Sequence, residues 1–351
     1  MIFHACSVAI TIPLSALTEE LQIVKLDDAD DALIGNDYGA LITENYILIR
    51  GSRQMPYKLY DKKTGKYLTK IGGYGQGPGE YQNIYDQQVD EANNRIYLLP
   101  WSAKQILVYD LKGNNLPPIP LCHLVPKGHF YVDTKNETVI VSALPFAEST
   151  PNVVWQQSTK GELLKSVASG HLSVRPDFSN EMFVNKFGGQ YNFHVFTFVP
   201  RPDSVYLYDI SSNKIIPKFI VNFITDKLPI HAYTENKHFF MGNFAEPKQI
   251  SETTTVTQNQ RFFLVDKNTL KGGFFILEND FLGGMEIQWP IYQLSGEYFS
   301  YNADPGNLKD ELEEILKSNK NMSSEMKNKL TKLKDSITEK DNNYILYAKI
   351  K

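Results

Sequence analysis

Tyr46-Ile47-Leu48-Ile49, a polar turn from Gly51 to Gln54, Tyr57-Lys58-Leu59-Tyr60-Asp61, the turn Lys62-Lys63-Thr64-Gly65-Lys66 and then Tyr67-Leu68-Thr69-Lys70-Ile71 read as short strands joined by Gly-bearing turns. The pattern returns in Arg95-Ile96-Tyr97-Leu98-Leu99, Ile106-Leu107-Val108-Tyr109-Asp110 and the turn Lys112-Gly113-Asn114. Second strands of successive copies are expected near Tyr46, Ile96, Val139, Val195, His238 and Tyr298, a period of roughly fifty residues. Six four-stranded units at that period predict an all-β chain, a six-bladed β-propeller.

Working outward, Tyr344-Ile345-Leu346-Tyr347-Ala348-Lys349-Ile350 is a strand with no successor, and Leu21-Gln22-Ile23-Val24-Lys25-Leu26 has no blade of its own. Pairing the two completes blade six, closes the ring and removes two sheet edges. Residues 307–341 break the β pattern. Leu308, Leu312, Ile315 and Leu316, then Met322, Met326, Leu330, Leu333 and Ile337, recur at helical spacing, which predicts a helical hairpin inserted in blade six. Asp304-Pro305 and Ser323 or Ser324 are its start signals. A single propeller domain is expected over 21–351, with 1–20 an export-signal remnant or disordered N-terminus.

Gly72-Gly73-Tyr74-Gly75-Gln76-Gly77-Pro78-Gly79-Glu80-Tyr81 lacks the following helix and the Lys of a phosphate-binding loop. Its glycines suit a tight crossover between blades. Aspartates ending the third strands, Asp61, Asp110, Asp209 and Asp266, recur with the repeat, as turn-forming residues do and a catalytic carboxylate does not.

With 351 residues and 42% hydrophobic content there is ample material for a core, and 20 Tyr and 20 Phe suit strands packed between neighbouring sheets. A net charge of −4 without a basic stripe argues against nucleic acid as a partner. No apolar run reaches the length of a membrane span. Two cysteines, Cys6 and Cys122, make neither a disulfide framework nor a paired metal spacing.

The run Lys66-Tyr67-Leu68-Thr69-Lys70-Ile71-Gly72 leading into Gly75-Gln76-Gly77-Pro78-Gly79-Glu80-Tyr81 resembles the signature of a six-bladed β-propeller family, NHL-repeat or TolB-like, found among envelope lipoproteins of Bacteroidota. Pro200-Arg201-Pro202-Asp203-Ser204-Val205-Tyr206 and Asn279-Asp280-Phe281-Leu282-Gly283-Gly284 are further echoes. The resemblance implies a cell-envelope setting (periplasm or outer membrane) and a binding role. Ala5-Cys6-Ser7 looks like the end of a bacterial lipobox, making Cys6 the lipidation candidate.

In such propellers the loops joining strands two and three, and those joining blades, open on one face. That face supplies Arg50, Arg53, Tyr74, Trp101, Phe146, Arg201 and Phe244 as ligand-binding candidates, since rings stack and guanidinium groups bind in a bidentate manner. The expected function is non-enzymatic recognition of a glycan, peptide or protein partner by a monomer, with no catalytic residue, metal or cofactor assigned. The competing expectation is a metal-dependent hydrolase or lyase with a site in the central channel. It would draw on His123, His171, His194 or His231, although no paired zinc spacing and no Gly-x-Ser-x-Gly elbow occurs.

Overall fold

The computed structural model describes residues 2–3, 8–34, 39–50, 55–224, 227–251, 254–294 and 296–351. Among the described residues six sheets of three or more strands form a six-bladed β-propeller arrangement, with two further two-stranded sheets beside them. Blade one runs Ala40–Ile42, Tyr46–Ile49, Tyr57–Asp61, Tyr67–Ile71. Blade two runs Ile84–Asp90, Arg95–Pro100, Ala103–Tyr109, Asn115–Val125. Blade three is Gly128–Asp133, Thr138–Ala143, Asn152–Ser158, Leu163–Ala168, and blade four Glu181–Phe187, Gln190–Phe196, Val205–Asp209, Lys214–Phe219. Blade five is Ile230–Glu235, Phe239–Gln249, Thr255–Asp266, Gly272–Asn279. Blade six has three strands in the order Tyr298–Ala303, Tyr344–Lys349, Gln22–Lys25.

Within each unit neighbouring blades pack face to face, so strands there are buried on both faces and read as apolar runs rather than alternating ones. Ile47, Leu48 and Ile49 are all buried. By contacts the chain forms two compact units: blades two to four with most of blade five in one, and blades one and six with the helices in the other. In the first, Leu99, Ile106, Phe130, Val141 and Trp155 fill one layer, and Phe193, Tyr206 and Tyr208 another. In the second, Ile47, Ile49 and Tyr60 pack with Ile345 and Tyr347.

The last blade differs from the expected pattern in two respects, the first being that it has three strands among the described residues where four are expected. Tyr298 begins its first strand, not its second, and Ser300 Oγ lies 3.4 Å from Ala40 O in the first strand of blade one. The second strand comes only at Tyr344, because the hairpin is inserted between the two. Its helices span Pro305–Ser318 and Ser324–Ser336. Asp304 accepts the backbone N–H groups of Gly306 and Asn307 at 2.9 and 3.1 Å, and Ser323 Oγ that of Met326 at 3.1 Å, each satisfying free donors of a first turn. Leu308, Leu312 and Leu330 are buried against Leu282, Ala303 and Leu346. Within the N-terminal stretch Ile10–Pro13 lies beside the last strand of blade five, Leu14 is buried, and Ser15 Oγ donates to Asp280 at 2.5 Å.

Ring closure follows the expected pairing, antiparallel, with Tyr344 opposite Lys25 and Tyr347 opposite Gln22. The glycine turn of blade one packs on this closing strand. Gly65 has φ +70°, and a Cβ there would sit 2.0 Å from Lys25 O. The same turn in blades two and three puts Gly113 against Lys70 O and Gly161 against Pro120, the outer strand of the preceding blade each time. In blade four Asn213 takes the place, its Nδ2 donating to Ser166 O at 3.0 Å. The aspartates before these turns act as turn residues: Asp61 accepts from Thr64 N and Oγ1 at 2.8 and 2.7 Å, and Asp266 from Thr269 N at 2.7 Å.

Gly65→Ala is therefore expected to cost about 3 kcal/mol or more in urea unfolding, through left-handed strain plus a displaced closing strand. Gly188→Ala, at φ +55° with open space around it, should cost only about 1 kcal/mol.

Candidate functional site

The seven expected ligand residues have different fates. Arg53 and the lipidation candidate Cys6 lie outside the described residues. Arg50 is half-buried at the end of its strand, its N–H donating to Gly39 O at 3.2 Å. Tyr74 is exposed in the glycine-rich crossover, where Gly73–Tyr74 pairs in parallel with Glu80–Tyr81. There the Glu80 carboxylate accepts Gly77 N–H at 2.9 Å and fills the space that a side chain on Gly75 would need. Tyr81 Oη donates to Ile71 O at 2.5 Å. The crossover is thus held together by its own residues. Arg201 is engaged with backbone, donating to Ser173 O and Leu172 O at 2.9 Å each. Phe244 is buried, 5.2 Å from the Phe274 ring.

Trp101 and Phe146 are brought together by Phe178, which sequence reading passed over. Trp101 follows the second strand of blade two, Phe146 the second strand of blade three, and Phe178 lies on the crossover from blade three to blade four. Phe178 meets Trp101 edge-on at 5.8 Å and Phe146 at 6.2 Å. Phe146 is buried, whereas Trp101 is 41% and Phe178 70% exposed. The result is two rings in water standing on a third in the core.

Beneath them lies a buried cation. Lys127 Nζ donates to Phe178 O at 2.6 Å, to Asn180 O at 2.9 Å and to the Glu181 carboxylate, using all three ammonium donors. Tyr85 Oη also donates to Glu181. The crossover is further fixed by Asp177, which accepts Ser179 N–H at 2.8 Å, and by Asn180 Oδ1, which accepts Phe198 N–H at 3.0 Å. Phe178 is therefore an exposed ring on an immobilised backbone, the preorganisation that lowers the entropy cost of binding.

The first strands of blades two to four carry a second polar network. Asp86 Oδ2 accepts from Lys186 Nζ at 2.5 Å and from Phe130 N at 2.9 Å, with His129 Nδ1 at 3.5 Å. Burial alone would push this carboxyl up; the charges of Lys186 and His129 outweigh it and hold Asp86 well below the usual carboxylate range. Gln88 pairs through both amide atoms with Val132 N and O at 2.8 and 3.0 Å. These contacts stitch neighbouring blades and leave Asp86 committed to structure.

His194 and His231 face each other at 6.3 Å between ring centroids. His123 packs on Trp155, and His171 on Tyr206. Among the described residues no group of three or more His, Cys, Asp or Glu side chains is placed to hold a metal ion, so the channel hydrolase has no ligand set there. His194 Nδ1 lies 3.3 Å from Ser204 O and His231 Nδ1 2.8 Å from Pro229 O. Burial pushes both imidazoles down to about 4.

A family model for a domain of unknown function, DUF4934, matches residues 4–349. The chain belongs to the DUF4934 family. This DUF4934 protein is similar in structure to a "Putative exported protein" from Bacteroides fragilis NCTC 9343, with 17% identity, 100% of this chain and 98% of that one covered, and a TM-score of 0.65. It is also similar to a member of the DUF4221 family from Bacteroides vulgatus ATCC 8482, with 10% identity, 95% and 97% coverage and a TM-score of 0.51. At these identities the likeness is one of fold. No curated protein matches the DUF4934 chain.

The histidine pair sets a pH dependence. Unfolded histidine titrates near ~6.5, so the unfolded chain takes up protons that the folded form refuses. The stability these groups contribute is complete above about pH 6.5 and is lost as pH falls towards 4. Urea unfolding across that window should show the loss, and His194→Gln should reduce it by roughly 1–3 kcal/mol.

Proposed function

We propose that this DUF4934 chain is a non-enzymatic binding propeller of the cell envelope that recognises a glycan or peptide partner through the Trp101–Phe178 surface. The observation that carries the reading is the contrast between exposure and rigidity at Phe178: a ring left 70% in water on a backbone that a buried lysine clamps at 2.6 Å. An exposed aromatic pair of this kind offers stacking area to a sugar ring or an apolar peptide side chain. Arg201, with its guanidinium engaged by Leu172 and Ser173 carbonyls, anchors a neighbouring loop, and Phe244, inside the second strand of blade five, belongs to the core.

Similarity to a protein named as exported supports an extracytoplasmic setting, and Cys6 is the candidate lipid anchor. No helix among the described residues is long and apolar enough to cross a membrane. The net charge of −4 favours partners other than nucleic acid.

The test is capture from an envelope fraction by the immobilised protein, with Trp101→Ala/Phe178→Ala as the comparison and melting temperature as the folding control. The double variant should lose the captured partner while melting within a few degrees of wild type, because the rings removed are the exposed ones. Protease treatment of the fraction should abolish capture of a peptide, and periodate that of a glycan. Equal capture by wild type and the double variant would remove this surface from the function.

A further inference from the structure

The unit containing blades one and six holds a second site, built from residues separate from the aromatic surface just described. A cavity of about 60 Å³ lies among Asn279, Glu286, Gln293, Tyr301 and Glu311, with Phe299 and Leu346 as apolar walls. That is several times the ~10–15 Å³ a single water needs. Three oxygens of its lining residues are buried without a hydrogen-bond partner: Asn279 Oδ1, Gln293 Oε1 and Glu311 Oε2.

The chemistry of these atoms is one-sided. Gln293 Nε2 donates to Gln288 O at 2.8 Å, which fixes the carboxamide and leaves its oxygen over. Glu311 Oε1 accepts the Tyr301 hydroxyl at 3.1 Å, leaving Oε2. All three are acceptors. Among the described residues the cavity is lined by two carboxylates, Glu286 and Glu311, and by no Lys, Arg or His. Burial pushes the Glu311 carboxyl up, as expected where no cation lies close enough to offset it.

An aromatic pair flanks the same segment. Trp289 follows Gln288 and Tyr292 precedes Gln293; the rings are 6.1 Å apart and 49% and 51% exposed. Trp289 has φ +56° and ψ +50°, a left-handed conformation that a bulky residue rarely adopts and that marks strain retained in the folded chain.

We propose that this cavity binds a primary ammonium group carried on a short apolar stem. The three N–H donors meet the carboxylate of Glu311 and the amide oxygens of Asn279 and Gln293, and the stem lies along Phe299 and Leu346. A hydroxyl would satisfy one acceptor and bring lone pairs of its own, whereas an ammonium satisfies all three and supplies the absent positive charge. A free amine and a lysine side chain share this chemistry.

Calorimetric titration of the full chain at neutral pH with n-butylammonium, n-butanol and tetramethylammonium tests it. Binding of n-butylammonium in the millimolar range is expected, with n-butanol and tetramethylammonium each weaker by about tenfold or more. Glu311→Gln, which keeps shape and removes charge, should weaken n-butylammonium by about tenfold. If that variant melts lower than wild type, Gln293→Met, which removes one of the three acceptors, gives the second comparison and should also weaken binding. Nα-acetyl-lysine methylamide binding more tightly than n-butylammonium assigns the site to lysine side chains; the reverse order assigns it to free amines. Equal affinity for n-butanol and n-butylammonium, unchanged affinity in both variants, or no binding of n-butylammonium overturns the proposal. Trp101→Ala/Phe178→Ala should leave amine binding intact, so failure here is distinguishable from failure of the aromatic surface.

Discussion

Main-chain pairing between Gln22–Lys25 and Tyr344–Lys349 is the constraint on which the last blade depends. Without it that blade would keep two strands, and a two-stranded sheet is marginal in water. The pairing also sets what is built on it. Leu346 contributes to the apolar patch that receives Leu308, Leu312 and Leu330 of the hairpin, and it walls the amine cavity. Lys25 and Tyr344 both bind the Asp341 carboxylate, at 2.8 and 2.7 Å, which ties the end of the hairpin to the closed sheet. Those two partners, with Thr338, outweigh desolvation and hold Asp341 well below the ordinary carboxylate range.

In the other unit buried charge does similar work. Glu235 is fully buried between Lys218 at 2.6 Å and Lys267 at 2.5 Å, and Lys127 sits beneath the exposed rings with all three donors used. A buried charge is tolerable only when hydrogen bonds replace its lost hydration. Lys127 thereby fixes the geometry of the loop that carries Phe178, and Phe178 is where that geometry meets solvent.

Much of this architecture could be read before any coordinates. Two-sided burial made the blade strands visible as apolar runs such as Ile47-Leu48-Ile49, and the repeated Asp and Gly positions marked their turns. The closing pair was legible because each strand was left without a partner. Tyr298 was harder, since an inserted hairpin moves the second strand of the last blade away from its periodic place. Trp101 and Phe146 stood out as aromatics on loops. Phe178 did not, because its importance comes from Lys127, 51 positions away in sequence, reaching a carbonyl oxygen. Arg201 illustrates the converse: a loop arginine looks like a ligand hook until backbone carbonyls are found around it. The amine cavity was equally silent, because unpaired acceptors are a property of geometry and leave no trace in residue order.

The closing pair also bears on how the ring is made. Lys25 and its partner Asp341 are separated by 316 positions, so the outer strand of the last sheet emerges from the ribosome long before the strand it joins. Such distant pairing lengthens the search for the native state, and in the interval Gln22-Ile23-Val24-Lys25 offers an unclaimed β edge to any passing chain. A nascent propeller of this design is thus exposed to misassembly until Tyr344–Lys349 appears, and in that interval a holding chaperone would be of greatest use to it.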